Sequence, residues 1–157
     1  MNITPPQSAG IIAPPPLLYL CALAIAFLLH AVRPMPIPLS APALQASGLA
    51  LILLSGALAR WAFAAMKQNG TSPNPRKPSV ALATHGPFRW SRNPIYVAMT
   101  GLYLGLTLLW NSWWPCWLLL ALLPAMHWGV VRREERYLAR QFGEAYRAYA
   151  ARTRRWL

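Results

Sequence analysis

"PLLYLCALAIAFLLHAV", residues 16–32, runs seventeen residues without a charge. As a helix it would cover about 25 Å at 1.5 Å per residue, the short end of what crosses a bilayer. It lacks the polar stripe that a helix of a soluble bundle carries. Three further stretches read the same way: 42–66, whose one charge is Arg60 near its end, then 94–110 and 115–131. Composition agrees, with 56% of residues apolar and only 11% charged, against about 25% charged in a soluble domain. The expected fold is all-α integral membrane, with four transmembrane helices in one membrane domain spanning 1–157. Its parts are two N-terminal spans (1–66), a loop (67–93), a helical hairpin (94–131) and a basic tail (132–157). No strand–GxGxxG–helix unit is present, so no Rossmann domain is expected.

The charges orient the spans. The connection 67–92 holds five basic residues and the tail from Arg132 holds eight, while the connection after the first span holds only Arg33 and the turn after the third holds none. Thirteen basic residues on one side against one on the other place the loop and the tail in the cytoplasm. Four spans put the N-terminus there as well, in a multi-pass protein of the cytoplasmic (inner) membrane if bacterial. The N-terminus has no basic n-region, so no cleaved signal peptide is expected. The net charge of +12 permits nucleic-acid binding. Because the basic residues line one membrane side, anionic lipid heads explain them better, and no nucleic-acid partner is expected. Cys21 and Cys116 lie in apolar spans and read as packing residues, with no disulfide or metal framework. Nothing in the composition sets an oligomeric state.

"PMPIP" at 34–38 cannot continue a helix and makes the outer turn between the first two spans. "NGTSPNPRKPS" at 69–79 is a loop. Asn93 followed by Pro94 reads as a helix start, with Asn as the side-chain cap and Pro pre-set for the first helical position. Gly101 and Gly105 have the GxxxG spacing that lets membrane helices pack closely. "NSWWP" at 111–115 is a tight turn whose tryptophans suit the membrane interface, and Pro124 is expected to kink the fourth span. Arg60 is expected to snorkel, and His127 to pack or hydrogen-bond inside the bundle.

The chain has only three acidic residues, Glu134, Glu135 and Glu144, all in "RREERYLARQFGEAYRAYAARTRRWL" at 132–157. At about 100° per residue, Leu138, Phe142, Ala145, Tyr146 and Tyr149 share an apolar arc of an amphipathic interfacial helix over 134–150. Arg136, Arg140 and Arg147 lie opposite, with Glu144 on that polar face. Glu134 and Glu135 lie on the two edges of the arc, and Val131 and His127 continue it upward. Counting nineteen residues each way from Trp113 reaches Pro94 and Arg132. The start of the third span and the end of the fourth therefore lie at one depth, and Asn93 and Tyr96 neighbour Glu134 and Glu135. Ionisable groups facing a membrane interior are costly and point to function. The bland alternative is structural pairing with Arg89 or Arg92. Carboxylates, arginines, a helix N-terminus and aromatics together suit a zwitterionic adenosyl compound.

"LATHGPFRWSRNPIYVAM" at 82–99 and the tail at 132–156 resemble the isoprenylcysteine carboxyl methyltransferase family and its relatives, the phospholipid N-methyltransferases. That pattern is G-P-[YF]-R, R-[HN]-P-x-Y-x-G, a hydrophobic hairpin and E-E-x-x-L-x-x-x-[FY]-G-x-x-Y-x-x-Y. The resemblance covers roughly 81–156 and implies a membrane methyltransferase using S-adenosyl-L-methionine as methyl donor. The cofactor site it implies involves His85, Gly86, Pro87, Arg89, Arg92, Asn93, Pro94, Tyr96, Glu134 and Glu135. Arg92 and Glu135 are the candidates for catalysis, and no metal is implied. Two positions depart from the pattern: Asn93 stands where His is common, and Ala98 where Gly is usual. The expected partners are membrane lipids and a lipophilic small-molecule or prenylated acceptor. The resemblance implies an isoprenylcysteine-carboxyl-methyltransferase-like enzyme, with a phospholipid (ethanolamine) N-methyltransferase as the alternative. The chain leaves the acceptor itself open among a prenylated cysteine carboxylate, an ethanolamine phospholipid and another lipophilic molecule. A non-enzymatic lipid-binding scaffold is the alternative from another class, and the glutamate pair on the apolar arc speaks against it.

Overall fold

The computed structural model describes residues 9–71 and 81–157. Most of the loop read at 69–79, with Arg76 and Lys77, lies outside the described residues, as does the start of the N-terminus. The described chain is helical: α1 (Pro15–Val32), α2 (Ala41–Gln68), α3 (Pro94–Trp110), α4 (Trp114–Met126) and α5 (Arg132–Arg152). A short 3-10 turn, Gly86–Arg89, precedes α3. The only β pairing among the described residues is one isolated bridge, Ser91 with Arg154.

Three helices are long and apolar enough to cross a membrane: Pro15–Val32, Ala41–Gln68 and the continuous Trp114–Arg152. The fourth apolar helix, Pro94–Trp110, has 17 residues. Their outer faces are greasy: Leu20, Phe27, Leu28, Leu53, Leu54 and Leu120 are all exposed, as suits a bilayer solvent rather than water.

Specific contacts fix the directions. Tyr19 bonds Thr100 and His30 bonds Ser112, so α1 runs parallel to α3. Ile12 bonds the carbonyl of Gly129 while Trp114 donates to the carbonyl of Arg33, so α1 and α4 are antiparallel. The α2–α3 contact is the most extensive and is also antiparallel, because the small residues match. A Cβ on Gly105 would lie 2.7 Å from Ile52 Cγ1 and 2.9 Å from the Gly48 carbonyl oxygen, and one on Gly101 would strike Ser55 Oγ. The GxxxG spacing thus does what it does in membranes, letting backbones approach. The bundle core is Tyr19, Tyr96, Tyr103, Leu119, Leu122, Met126, Val130 and Val131.

One end of the bundle carries the two tight turns. Asn111, in the left-handed conformation at φ 53°, accepts from the Ile37 backbone N–H at 2.8 Å, and Trp113 N–H donates to Met35 O at 2.9 Å. The opposite end gathers residues 9–14, the described flanks of the 69–92 link, and α5. Thr71 joins those flanks: its hydroxyl donates to Ala81 O and accepts from Ala81 N–H. The link and the tail are thus at one end, as the charge pattern requires.

Three local expectations are corrected. α3 does begin at Pro94, but the Asn93 side chain makes no cap bond. Its Nδ2 donates to the Arg155 carbonyl at 2.9 Å instead, while its backbone carbonyl accepts from Tyr96 and Val97. Second, His127 and Val131 do not continue the tail's arc at constant pitch. Pro124 removes one donor within α4, and a π-helical segment, His127–Val131, then carries α4 into α5. A π turn holds more residues than an α turn, so a wheel drawn at constant pitch from His127 to Glu134 loses register. Third, the 134–150 helix is interrupted at Gly143, which has φ 53° and ψ −122°, a conformation essentially reserved for glycine. The uninterrupted arc therefore fails: Tyr137, Tyr146 and Tyr149 are buried, but Leu138 and Phe142 are half-buried and Ala145 is exposed.

Candidate functional site

The end of the bundle that carries α5 holds a cleft of about 140 Å³, roughly ten times what one water needs. Its walls come from Ala9 before α1, Met66 at the end of α2, Thr71 just beyond it, residues 81–83, Phe88, the run Arg92–Tyr96, and α5 through Glu134, Glu135, Tyr137, Leu138, Tyr146 and Tyr149. Six of the residues expected at a site, Arg92, Asn93, Pro94, Tyr96, Glu134 and Glu135, line it together. Four do not. His85 is exposed and lies 3.3 Å from the Thr84 hydroxyl. Gly86, at φ 60°, packs its Cα on Trp61, whose Nε1 a Cβ would meet at 3.1 Å. Pro87 is fully buried and Arg89 exposed. Ala98 is buried at 3% exposure.

The two glutamates face different elements. Glu134 Oε1 accepts the Tyr96 hydroxyl at 2.7 Å, across 38 residues of sequence and at the depth that the hairpin count gives. Tyr96 belongs to a chain of bonds through the bundle: Thr100 donates to the Tyr96 carbonyl, which leaves the Thr100 oxygen to accept from Tyr19 at 2.7 Å. Glu134 sits beyond the apolar stretch at the head of α5. Burial pushes its carboxyl up to about 7, the charge of Glu135 adds to the rise, and the Tyr96 hydrogen bond opposes it.

Glu135 is held by two guanidinium groups. Arg92 Nη1 lies 3.2 Å from Oε1, and Arg155 takes both carboxylate oxygens, Nε at 2.9 and 3.1 Å and Nη2 at 2.8 Å. This fork is the strong form of the interaction, and it holds the Arg155 guanidinium above its ordinary range. Glu144, by contrast, pairs with Arg147 on the open surface. Arg92 Nη1 also donates to Tyr146 at 3.5 Å. Among the described residues, Arg92 Nε is buried without a hydrogen-bond partner.

The end of the chain, absent from the expected site, completes this arrangement. After Gly143 the tail returns along residues 88–93. Tyr149 donates to the Phe88 carbonyl at 2.8 Å, Arg92 N–H donates to Arg154 O at 2.8 Å, and Ser91 and Asn93 side chains both reach Arg155 O. Trp156 packs on the bundle core and lies 6.5 Å from the His127 ring. The available signal was Gly143 inside an otherwise helical run: glycine is costly there unless a turn needs it. The segment before α1 was also missed. Ile12 seats over Gly129, where a Cβ would strike its side chain, and Arg133 donates to Gly10 O at 2.8 Å.

Chemically, the cleft joins an aromatic, mostly apolar interior to one carboxyl that titrates near neutrality and one arginine with a donor to spare. A model of the phospholipid methyltransferase family matches residues 44–145, from α2 into α5. No curated protein and no solved structure matches the chain. With well over half of its residues inside that match, the chain belongs to the phospholipid methyltransferase family.

Proposed function

We propose that this protein is a membrane methyltransferase that uses S-adenosyl-L-methionine and acts on a lipophilic acceptor, with its site in the cleft at the α5 end. The observation that carries the reading is the Tyr96–Glu134 contact beside the Arg92–Glu135 pair in one cleft. The residues present fit the cofactor. Arg92, with its unpartnered Nε, suits a carboxylate. Tyr137, Tyr146 and Phe88 offer flat apolar surface for a base, and Glu134 is left to face the acceptor. When bound, the cofactor supplies an electrophilic sulfonium methyl. The protein's own task is then mainly to hold a nucleophile in line and keep water out. For the topology, the reading takes all four apolar helices as spans with both termini cytoplasmic. The exposed basic residues of α5, Arg136, Arg140 and Arg147, then lie against anionic lipid heads, and the acceptor arrives from the bilayer.

The site favours an amine acceptor, such as an ethanolamine phospholipid. An amine must lose a proton before it attacks, and a carboxyl at about 7 is matched to taking it near neutral pH. The second reading is the isoprenylcysteine carboxyl type, whose carboxylate needs no base and would lean on Arg92. In the reading proposed here Arg92 serves the cofactor's carboxylate instead, and Glu134 has no task toward a carboxylate acceptor, which weighs against it. The test is methyl transfer by purified protein from labelled S-adenosylmethionine, with ethanolamine-phospholipid vesicles in one arm and a farnesylated cysteine in the other. Label is expected in the ethanolamine lipid. Label only in the cysteine ester would reverse the choice of acceptor, and failure to bind the labelled cofactor would leave the scaffold reading in its place.

A further inference from the structure

We infer that Arg155 is a positioning residue that sets the charge of the cleft and thereby makes Arg92 available to an anionic group. The inference rests on the proposed methyltransferase site but names a residue beyond the stretch that the family model matches. Glu135 carries one negative charge and is shared by two guanidinium groups. Arg155 takes both of its oxygens, whereas Arg92 keeps a single contact through Nη1. The cluster therefore has one positive charge in excess. That excess resides on the arginine that lines the cleft, because Arg155 is committed to the fork and does not line it. Arg92 is only 15% exposed, so water screens it poorly, and its Nε is buried without a partner among the described residues. A partly buried cation with a spare donor is completed by an anion. Arg155 itself is placed by backbone pairing, since Arg154 and Arg155 present their carbonyls to Arg92, Ser91 and Asn93. This assigns Asn93, where the family pattern commonly has His, to holding the tail.

Without Arg155, Glu135 and Arg92 form a neutral pair and the attraction for an anion is lost. The anion is a carboxylate or a phosphate monoanion. The two sources are the amino-acid carboxylate of the cofactor and the phosphodiester of a lipid acceptor. Equilibrium binding to the full-length protein separates them, with S-adenosylhomocysteine as probe in one arm and a short-chain ethanolamine phospholipid in the other. Arg155→Gln should weaken one of the two by about tenfold. Arg155→Lys, which keeps the charge without the fork, should recover most of the loss. The decisive variant is Arg155→Gln combined with Glu135→Gln, which restores the single positive charge at Arg92: it should bind more tightly than Arg155→Gln alone, although the tail has lost its ion pair. A role confined to anchoring the tail would make the double variant no better than the single one, and that result overturns the inference. So does unchanged affinity of Arg155→Gln in both arms. Should the unaltered protein bind no S-adenosylhomocysteine, the cofactor reading falls, and the phospholipid arm still decides the role of Arg155.

Discussion

Glu134 and Glu135 are neighbours in sequence, and replacing each by glutamine should have opposite effects on stability. In Glu135→Gln the amide cannot balance Arg92 and Arg155, which then face each other uncompensated. Removing one partner of a fully buried pair costs about 3–5 kcal/mol. Glu135 and Arg92 are 14% and 15% exposed, so their half counts near the low end, whereas Arg155 is 36% exposed and its half is screened. The combined loss is about 3 kcal/mol, and in a chain of this size that lowers the melting temperature by about 6–12 °C. Glu134→Gln keeps an oxygen to accept the Tyr96 hydroxyl and removes a carboxyl whose charged form is disfavoured by burial. Its folded-state pKa of about 7 stands above the ordinary 4.5. The stability this group contributes is therefore fully present below about 4.5 and is lost as pH rises through about 7, by no more than about 3 kcal/mol. The chain has only two other side-chain carboxylates, Glu135 and Glu144, so the difference between Glu134→Gln and the unaltered protein isolates this term. The assay is thermal unfolding in detergent micelles, followed by tryptophan fluorescence, at about pH 5 and about pH 8. Glu135→Gln should melt low at both. Glu134→Gln should match the unaltered protein at the acid end and exceed it at the alkaline end. Equal losses for the two variants at alkaline pH would refute the separation of roles.

Three further substitutions test the frame around the site. Gly105→Ala places a methyl against the Gly48 carbonyl and Ile52. Overpacking of backbone against backbone should cost about 1–3 kcal/mol, read as a lower melting temperature. Gly143→Ala meets no steric obstacle but forces φ 53°, ψ −122° on a residue with a Cβ, at about 1–3 kcal/mol. Straightening of the tail should follow, seen as faster proteolysis after Arg152 and Arg154. Gly129→Ala displaces Ile12, whose flexible side chain can yield, so its cost in melting temperature should be small, while amide exchange at residues 10–13 accelerates because the segment before α1 loses its seat.

The bundle was legible because hydrophobic runs and charge asymmetry act through local, additive physics. Depth matching across the hairpin needs only equal rise per residue, and it brought Tyr96 to Glu134. Features that depend on where the chain turns back were not legible. Asn-Pro is a sound capping signal, yet the Asn93 amide was captured by the Arg155 carbonyl, 62 residues away, and a tertiary partner outcompeted the local one. The constant-pitch wheel failed at His127–Val131 and again at Gly143, because each alters the angle that every later residue inherits. Arg155 could not be chosen among eight basic tail residues by pattern alone. What singled it out is the β-like pairing of 154–155 with 91–93.

The adjacency of the two glutamates follows from the same geometry. Adjacent helical residues point about 100° apart, whereas residues four apart share a face. The head of α5 lies between α3, which offers the Tyr96 hydroxyl, and the 91–93 segment with the returning tail, which offers Arg92 and Arg155. Two carboxylates spaced by four would both have faced one of these and left the other without an acceptor. Side by side they serve both, with Glu135 between two guanidinium groups. Glu134, facing a phenol and apolar wall, is the one held near neutrality. Neighbouring positions on one helix turn thus carry a carboxylate held by two guanidinium groups and a carboxyl raised by burial, and in the proposed amine-methylating reading the second is the one that takes the acceptor's proton.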